Sequence, residues 1–182
     1  MILFDQRGIA LRTLEPGDER LLLKWLTDPL VLEWYGGRDQ PYDSERVRED
    51  FYDEDSGEEV RGIVLHEGRP IGYMQFYPLE DEERGEYGYS GDPSVIYGMD
   101  QFIGEPDCRD RGIGSRLIAE AANYLFTEKR ADKLVMDPQV RNERALRVYE
   151  KNGFVRVKRL ESRELHEGVY EDCWLIEKKR PE

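Results

Sequence analysis

One α/β domain built on a mixed sheet is the fold this sequence predicts, and three observations carry that expectation. Strand-like runs rich in β-branched and aromatic residues alternate with segments whose apolar residues recur at helical spacing. Residues 60–65 and 70–77 flank Glu67-Gly68 as the two arms of a hairpin. Arg109-Asp110-Arg111-Gly112-Ile113-Gly114 separates a strand from a long helix. A chain of 182 residues is long enough for one sizeable core and short for two, so residues 1–182 read as one domain.

Residues 9–14 form the first expected strand, ended by Glu15-Pro16-Gly17. Asp18 can cap a helix in which Leu22, Trp25 and Leu26 share a face, and Asp28-Pro29 stops it. Ser44 can cap a second helix carrying Val47 and Phe51. In the second hairpin arm, Gly72 allows a close backbone approach. Residues 94–103 are the expected central strand. The helix after the glycine turn turns Leu117, Ala121, Tyr124 and Leu125 to one side. Residues 133–137 make a short strand closed by Pro138. Asn142 caps a helix with Ala145, Val148 and Tyr149 on one face, and Gly153 ends it. Strands over 154–160 and 169–177 complete the arrangement.

Composition narrows the function. Lys plus Arg total 27 against 40 Asp plus Glu, a formal net charge of −13. Such a field argues against nucleic-acid binding and favours a cationic partner or plain solubility. The densest runs, Asp53-Glu54-Asp55 with Glu58-Glu59 and Glu80-Asp81-Glu82-Glu83, read as solvated loops or as a field that gathers polyamine-like substrates. No apolar run approaches the roughly 20 residues needed to span a bilayer. The start lacks a basic segment followed by a long apolar one, so neither membrane nor export is expected and the cytoplasm is the default location. Cys108 and Cys173 form no CxxC pair and His66 and His166 are scattered, so no metal site is expected. Cys108 beside the glycine turn is either a nucleophile or a nonessential thiol, and Cys173 reads as structural. His66 and His166 read as surface or loop residues.

Glycines at 112 and 114 let a ligand approach the backbone, and the helix that follows supplies unpaired N–H groups and the positive end of its dipole. That combination suits a pyrophosphate. The spacing is neither that of a dinucleotide fingerprint nor that of a P-loop. With Asp137-Pro138, Asn142-Glu143-Arg144-Ala145 and residues 148–154 downstream, Arg-x-x-Gly-x-Gly resembles the acetyl-CoA motif of the GCN5-related N-acetyltransferases (GNATs). Trp25-Leu26, residues 33–37, Pro70-Ile71-Gly72-Tyr73 and residues 97–101 narrow the likeness to aminoglycoside 6'-N-acetyltransferases, including the acetyltransferase half of the bifunctional aminoglycoside-modifying enzyme. A group that acylates hydroxylated lysine for siderophores shares much of the pattern.

This resemblance implies a GNAT fold: a mixed sheet with helices on both faces, whose central strand carries a bulge and splays from its neighbour to open an acetyl-CoA cleft. It implies acetyl-CoA contacts at Gln101, Phe102, Ile103, Arg109, Asp110, Arg111, Gly112, Ile113, Gly114 and Ser115, and at Asn142, Ala145 and Tyr149. Asp100 is the expected proton acceptor for the attacking amine, and Tyr149 either donates to the departing sulfur or packs against the cofactor. A strand N–H near Gln101 or Phe102 would stabilise the carbonyl oxygen. Trp34, Tyr35 and Tyr73 are candidate aromatic walls for the substrate. Asp100, Asp137 and Asp172, with Glu33 and Asp39, are candidate contacts for its ammonium groups. Residues 164–168 resemble the family's late substrate-side segment. The expected reaction is direct transfer to a primary amine of an aminoglycoside. A siderophore hydroxylysine precursor or a polyamine is the alternative amine, and a nonenzymatic acyl-CoA-binding protein the alternative class. Monomer and homodimer remain equally open.

Overall fold

In the computed structural model, which describes residues 1–53 and 57–182, three hairpins supply six of eight strands. They are β1 (Ile2–Gln6) with β2 (Ile9–Thr13), β3 (Val60–His66) with β4 (Arg69–Pro78), and β7 (Val155–His166) with β8 (Val169–Lys179). Their turns are Arg7-Gly8, Glu67-Gly68 and Glu167-Gly168, with φ between 49° and 80° at all six residues. Two successive left-handed residues match the twist of the flanking strands, which is why each second position is glycine. With β5 (Ile96–Ile103) and β6 (Lys133–Met136), the strands form one sheet in the order β1-β2-β3-β4-β5-β6-β8-β7. Only β5 and β6 run parallel.

Helices cover both faces. α5 (Ile113–Thr127) and α6 (Glu143–Lys151) pack on one face, where Leu117, Ala121, Leu125 and Leu146 meet Met74, Phe76, Met99 and Leu134. On the other face α1 (Glu19–Trp25), α2 (Pro29–Leu32) and α3 (Ser44–Phe51) bury Ile63 and Tyr73. A separate apolar cluster there gathers Ile96, Val135 and Leu175 under Tyr87 of α4 (Asp81–Tyr87). Side chains alternate along β5: Tyr97 and Met99 join the α5 core, whereas Ile96 and Phe102 pack on the opposite side. Asp100 shares the face of Ile96 and Phe102 and falls between their two clusters.

β5 keeps its antiparallel partner β4 from Pro78↔Tyr97 to Gly72↔Ile103, but its parallel pairing with β6 covers only Ile96 to Gly98. Past Met136 the chain follows β8 instead: Gln139 bridges Cys173, and Trp174 donates its N–H to the Pro138 carbonyl at 2.8 Å. The sheet therefore opens at residues 100–103, leaving that edge of the β5 backbone without a strand partner. The β4–β5 register is one-to-one throughout, so the bulge expected in the central strand is absent and the splay comes from the departure of β6.

Several local expectations are corrected. β1, α2 and α4 were not expected from the sequence. The run at residues 80–83 is not loop: Glu80 stands at the N-cap position of α4 without a side-chain cap, and the next three acids fill the first turn, where the helix dipole favours them. Arg84 anchors this helix by donating to the carbonyls of Leu79, Asp92 and Ser94. Asp18 makes no side-chain cap, because its carboxylate is held by Arg12 at 2.6 and 2.7 Å. Asp43, not Ser44, caps α3. Glu54 and Asp55 of the other acidic run lie outside the described residues, while Asp53 and Glu59 both pair with Arg61.

Two glycines at the edge of the splay are sterically required. A Cβ on Gly72 would stand 2.2 Å from the Phe102 carbonyl oxygen, the close approach its place in the sequence suggested. A Cβ on Gly104, just past β5, would stand 2.3 Å from the indole of Trp25. That indole is itself fixed by a 2.9 Å bond to Glu105. Gly104→Ala is therefore expected to destabilise the fold by about 2–3 kcal/mol, as overpacking of a rigid core does. Urea unfolding followed by tryptophan fluorescence checks it.

Candidate active site

The glycine turn delivers the open helix start anticipated for a phosphate. Gly112 is the N-cap of α5 with φ 73°, and no side chain caps the helix. Cβ atoms built on Gly112 or Gly114 would meet nothing within 4 Å. The space beside the two glycines is thus open, and an uncapped helix start next to open space suits the pyrophosphate of a CoA thioester. Ser115 Oγ accepts from Asn152 at 3.0 Å, tying the start of α5 to the end of α6. Arg111 is exposed and reaches only the Asp107 carbonyl, at 3.3 Å. Arg109 is used differently from expectation. Its guanidinium braces the carbonyls of Ile103 and Gly104 and pairs with Asp28, so it holds the end of β5 instead of pointing at a ligand. Asp110, at φ 60°, pairs with Arg144 of α6 across the turn. Asn142 caps α6 by accepting from the Ala145 N–H at 3.3 Å.

On the opposite face of β5, Asp100 is half-buried and accepts a 3.0 Å bond from Gln75. Burial, reinforced by the nearby charge of Asp137, lifts its pKa to about 6, against the opposing pull of Gln75 and Tyr77. Asp137 sits where β6 ends, accepting from Tyr87 at 2.8 Å and from Arg163 at 3.1 Å. Two carboxylates therefore share the mouth of the splay, and the one on β5 has the raised proton affinity that acid–base work requires.

Gln101, the next residue, points to the α5 face and donates to the Tyr149 oxygen at 2.9 Å. That bond occupies an acceptor position of the phenol and leaves its O–H free to be given elsewhere. Burial raises the Tyr149 pKa to about 12, so the hydroxyl keeps its proton at neutral pH. Asp100 and Tyr149 thus lie on the two faces of β5, beside the edge that β6 leaves unpaired.

The expected substrate-side residues separate into three kinds. Trp34 is 37% exposed, with the Arg141 guanidinium 4.5 Å above its ring, and Tyr35 packs edge-on against Phe102 at 4.9 Å. Both border the Asp100 side. Tyr73 is fully buried and forms no wall; its hydroxyl donates to Gln75 at 2.7 Å and so supports the partner of Asp100. Asp172 is committed within the β7–β8 hairpin to Arg159 and the Ser162 N–H, which together hold its pKa below the usual carboxylate range.

Sequence reasoning passed over Gln75, whose alternation with Phe76 on β4 was the available signal, and the buried ring of His166. His166 is no surface residue: it is 4% exposed and meets the Glu33 carbonyl at 2.7 Å. Cys108 is buried, and burial with the adjacent Asp107 raises its pKa, which disfavours the thiolate a nucleophile needs. Cys173 is buried in the hairpin. Among the described residues no three metal-binding side chains cluster, and no helix is long and apolar enough to cross a membrane.

The acetyltransferase (GNAT) domain family matches residues 15–162. An aminoglycoside N(6')-acetyltransferase type 1 from Klebsiella pneumoniae is 31% identical over 151 residues, 82% of this chain and 75% of that protein. The crystal structure of an aminoglycoside acetyltransferase in complex with coenzyme A superposes with a TM-score of 0.74 at 24% identity, covering 94% of this chain and 95% of that one. A spermidine N-acetyltransferase from Vibrio cholerae, in complex with CoA and spermine, gives 0.75 at 23% identity over the same shares. At those identities the two structures speak for the fold.

Proposed function

Because this chain belongs to the GNAT acetyltransferase family and is an acetyl-CoA-dependent N-acetyltransferase, we propose that it acetylates the 6'-amine of an aminoglycoside. The observation that carries this reading is Asp100, whose pKa is lifted to about 6 by burial and by the nearby charge of Asp137. Two carboxylates at one mouth suit a substrate with several ammonium groups, one of which must lose its proton.

The N–H groups of residues 113–115 would hold the pyrophosphate of acetyl-CoA, and the unpaired edge of β5 would receive its pantetheine arm. The amine enters from the face of α1 to α4. Asp100 orients it, and the neutral fraction attacks the thioester carbon. As the N–C bond forms, the nitrogen's proton passes to Asp100 directly or through water. A backbone N–H near Gln101 or Phe102 meets the developing oxyanion. The C–S bond then breaks, and the leaving thiolate is met by the Tyr149 hydroxyl. A phenol near pKa 12 gives up its proton less readily than a thiol near 8.5, so Tyr149 stabilises the thiolate as a hydrogen-bond donor while solvent supplies the proton. No acyl-enzyme forms.

A polyamine is the second reading, favoured by the −13 net charge, since a linear polycation needs charge more than ring contacts. A side-by-side assay of kanamycin, spermidine, hydroxylysine and a peptide amino terminus separates the readings. The expected order places kanamycin first in kcat/KM; spermidine first would replace the aminoglycoside reading.

A further inference from the structure

The end of β7 crosses from one wall of the amine side to the other, and each polar residue along it is tied to a different point. Arg163 donates to Asp137 at 3.1 Å, and Glu164 accepts from Gln139 at 2.9 Å. Both partners lie where β6 ends. His166 then meets the Glu33 carbonyl at 2.7 Å. Glu167 holds the Arg38 guanidinium through bonds of 2.6 and 2.8 Å and also accepts the Arg38 backbone N–H at 3.2 Å. Glu33 and Arg38 bracket the segment after α2 that carries Trp34 and Tyr35.

We infer that the tip of the β7–β8 hairpin is a strap that fixes the Trp34–Tyr35 segment against the splay, with His166 and Glu167 as positioning residues for the amine substrate. The inference rests on reading that segment and Asp137 as the amine side. Its physical basis is the kind of bonding at the tip. Leu165, Val169 and Tyr170 are all more than half exposed, so the tip buries little apolar surface of its own. What holds it is a set of hydrogen bonds, three of them from the charged Arg38 guanidinium, and such bonds are directional. The His166 ring is the buried member, and its N–H satisfies a carbonyl at the end of α2. Loosening these bonds frees the aromatic segment without opening either main core. The cofactor turn lies at the start of α5, on the other face of the sheet, and does not depend on them.

The test uses the full chain with His166→Leu, Glu167→Gln, and the charge exchange Arg38→Glu with Glu167→Arg. Hydrogen exchange read by mass spectrometry over residues 33–38 reports the strap directly. Calorimetry of kanamycin and of spermidine, each added to CoA-saturated protein, reports the amine side. Both single variants are expected to speed exchange at 33–38 and weaken amine binding about tenfold, the scale of one lost hydrogen bond. CoA affinity should stay unchanged, and the charge exchange should recover part of the loss. Unchanged exchange and amine affinity in both single variants would overturn the strap, as would a parallel fall in CoA affinity. If only spermidine binds the wild-type protein, the aminoglycoside reading fails while the strap is still read with spermidine.

Discussion

Asp100→Asn is expected to lower turnover roughly 10²–10⁴-fold at saturating amine and acetyl-CoA, the usual contribution of a positioned acid–base group. The change keeps the size and polarity of the side chain and its contact with Gln75, but removes the group that takes the proton. CoA affinity should survive, because the pyrophosphate site is a backbone surface at the start of α5. The wild-type pH profile should fall on the acid side with an apparent pKa near 6, as Asp100 becomes protonated. Stability carries the opposite sign. A carboxyl whose folded pKa is raised contributes stability that is fully present below its ordinary pKa and is lost as pH rises through about 6. The Asn variant should therefore melt above wild type at pH 8, and the gap should narrow toward pH 4. Loss of CoA affinity and stability together would make Asp100 a structural carboxylate. Near-wild-type turnover across the pH range would end its role as proton acceptor.

Gly114→Val should weaken acetyl-CoA binding by roughly 100-fold or more, a loss of at least about 2.7 kcal/mol. It is a sharper probe than Gly112→Val. Both positions look into open space, but Gly112 has φ 73°, so any side chain there also strains the backbone. Gly114 lies inside α5 without that conformation, and a Cβ there meets no protein atom. Valine is no worse a helix former than glycine, so the fold should be kept. The difference between the two variants separates obstruction from strain. Calorimetric titration with acetyl-CoA, alongside thermal melting, reads both. Unchanged affinity in a folded Gly114→Val protein would remove the pyrophosphate from this turn.

What the sequence made legible was local. The glycine turn, the cap at Asn142, the stop at Gly153 and the close approach at Gly72 each follow from the backbone needs of one or two residues. The elements that escaped are those made by distant partners. α4 has an unpromising acidic sequence with Gly85 inside it, and stands because Arg84 reaches the Leu79 carbonyl before the helix and the Asp92 and Ser94 carbonyls after it. β1 is mostly exposed and gains its place by pairing with β2. The same limit applied at the candidate site. Residues 100 and 149 could be named from the resemblance, yet Gln75 behind Asp100, Gln101 behind Tyr149 and the diversion of Arg109 to the end of β5 are tertiary facts. Spacing along the chain says nothing of them. Nor could it reveal that the cleft opens by the departure of β6 along β8 instead of by a bulge.

The position of the transferred acetyl group tests the account most directly. Kanamycin, acetyl-CoA and purified protein would be incubated to completion and the product mapped by two-dimensional NMR, with released CoA thiol counted in parallel. Direct attack by an amine oriented at Asp100 calls for a single acetyl group on the 6' nitrogen, with one thiol released for each. Acetyl on another nitrogen, or no acetylated kanamycin under conditions where spermidine is acetylated, would contradict it.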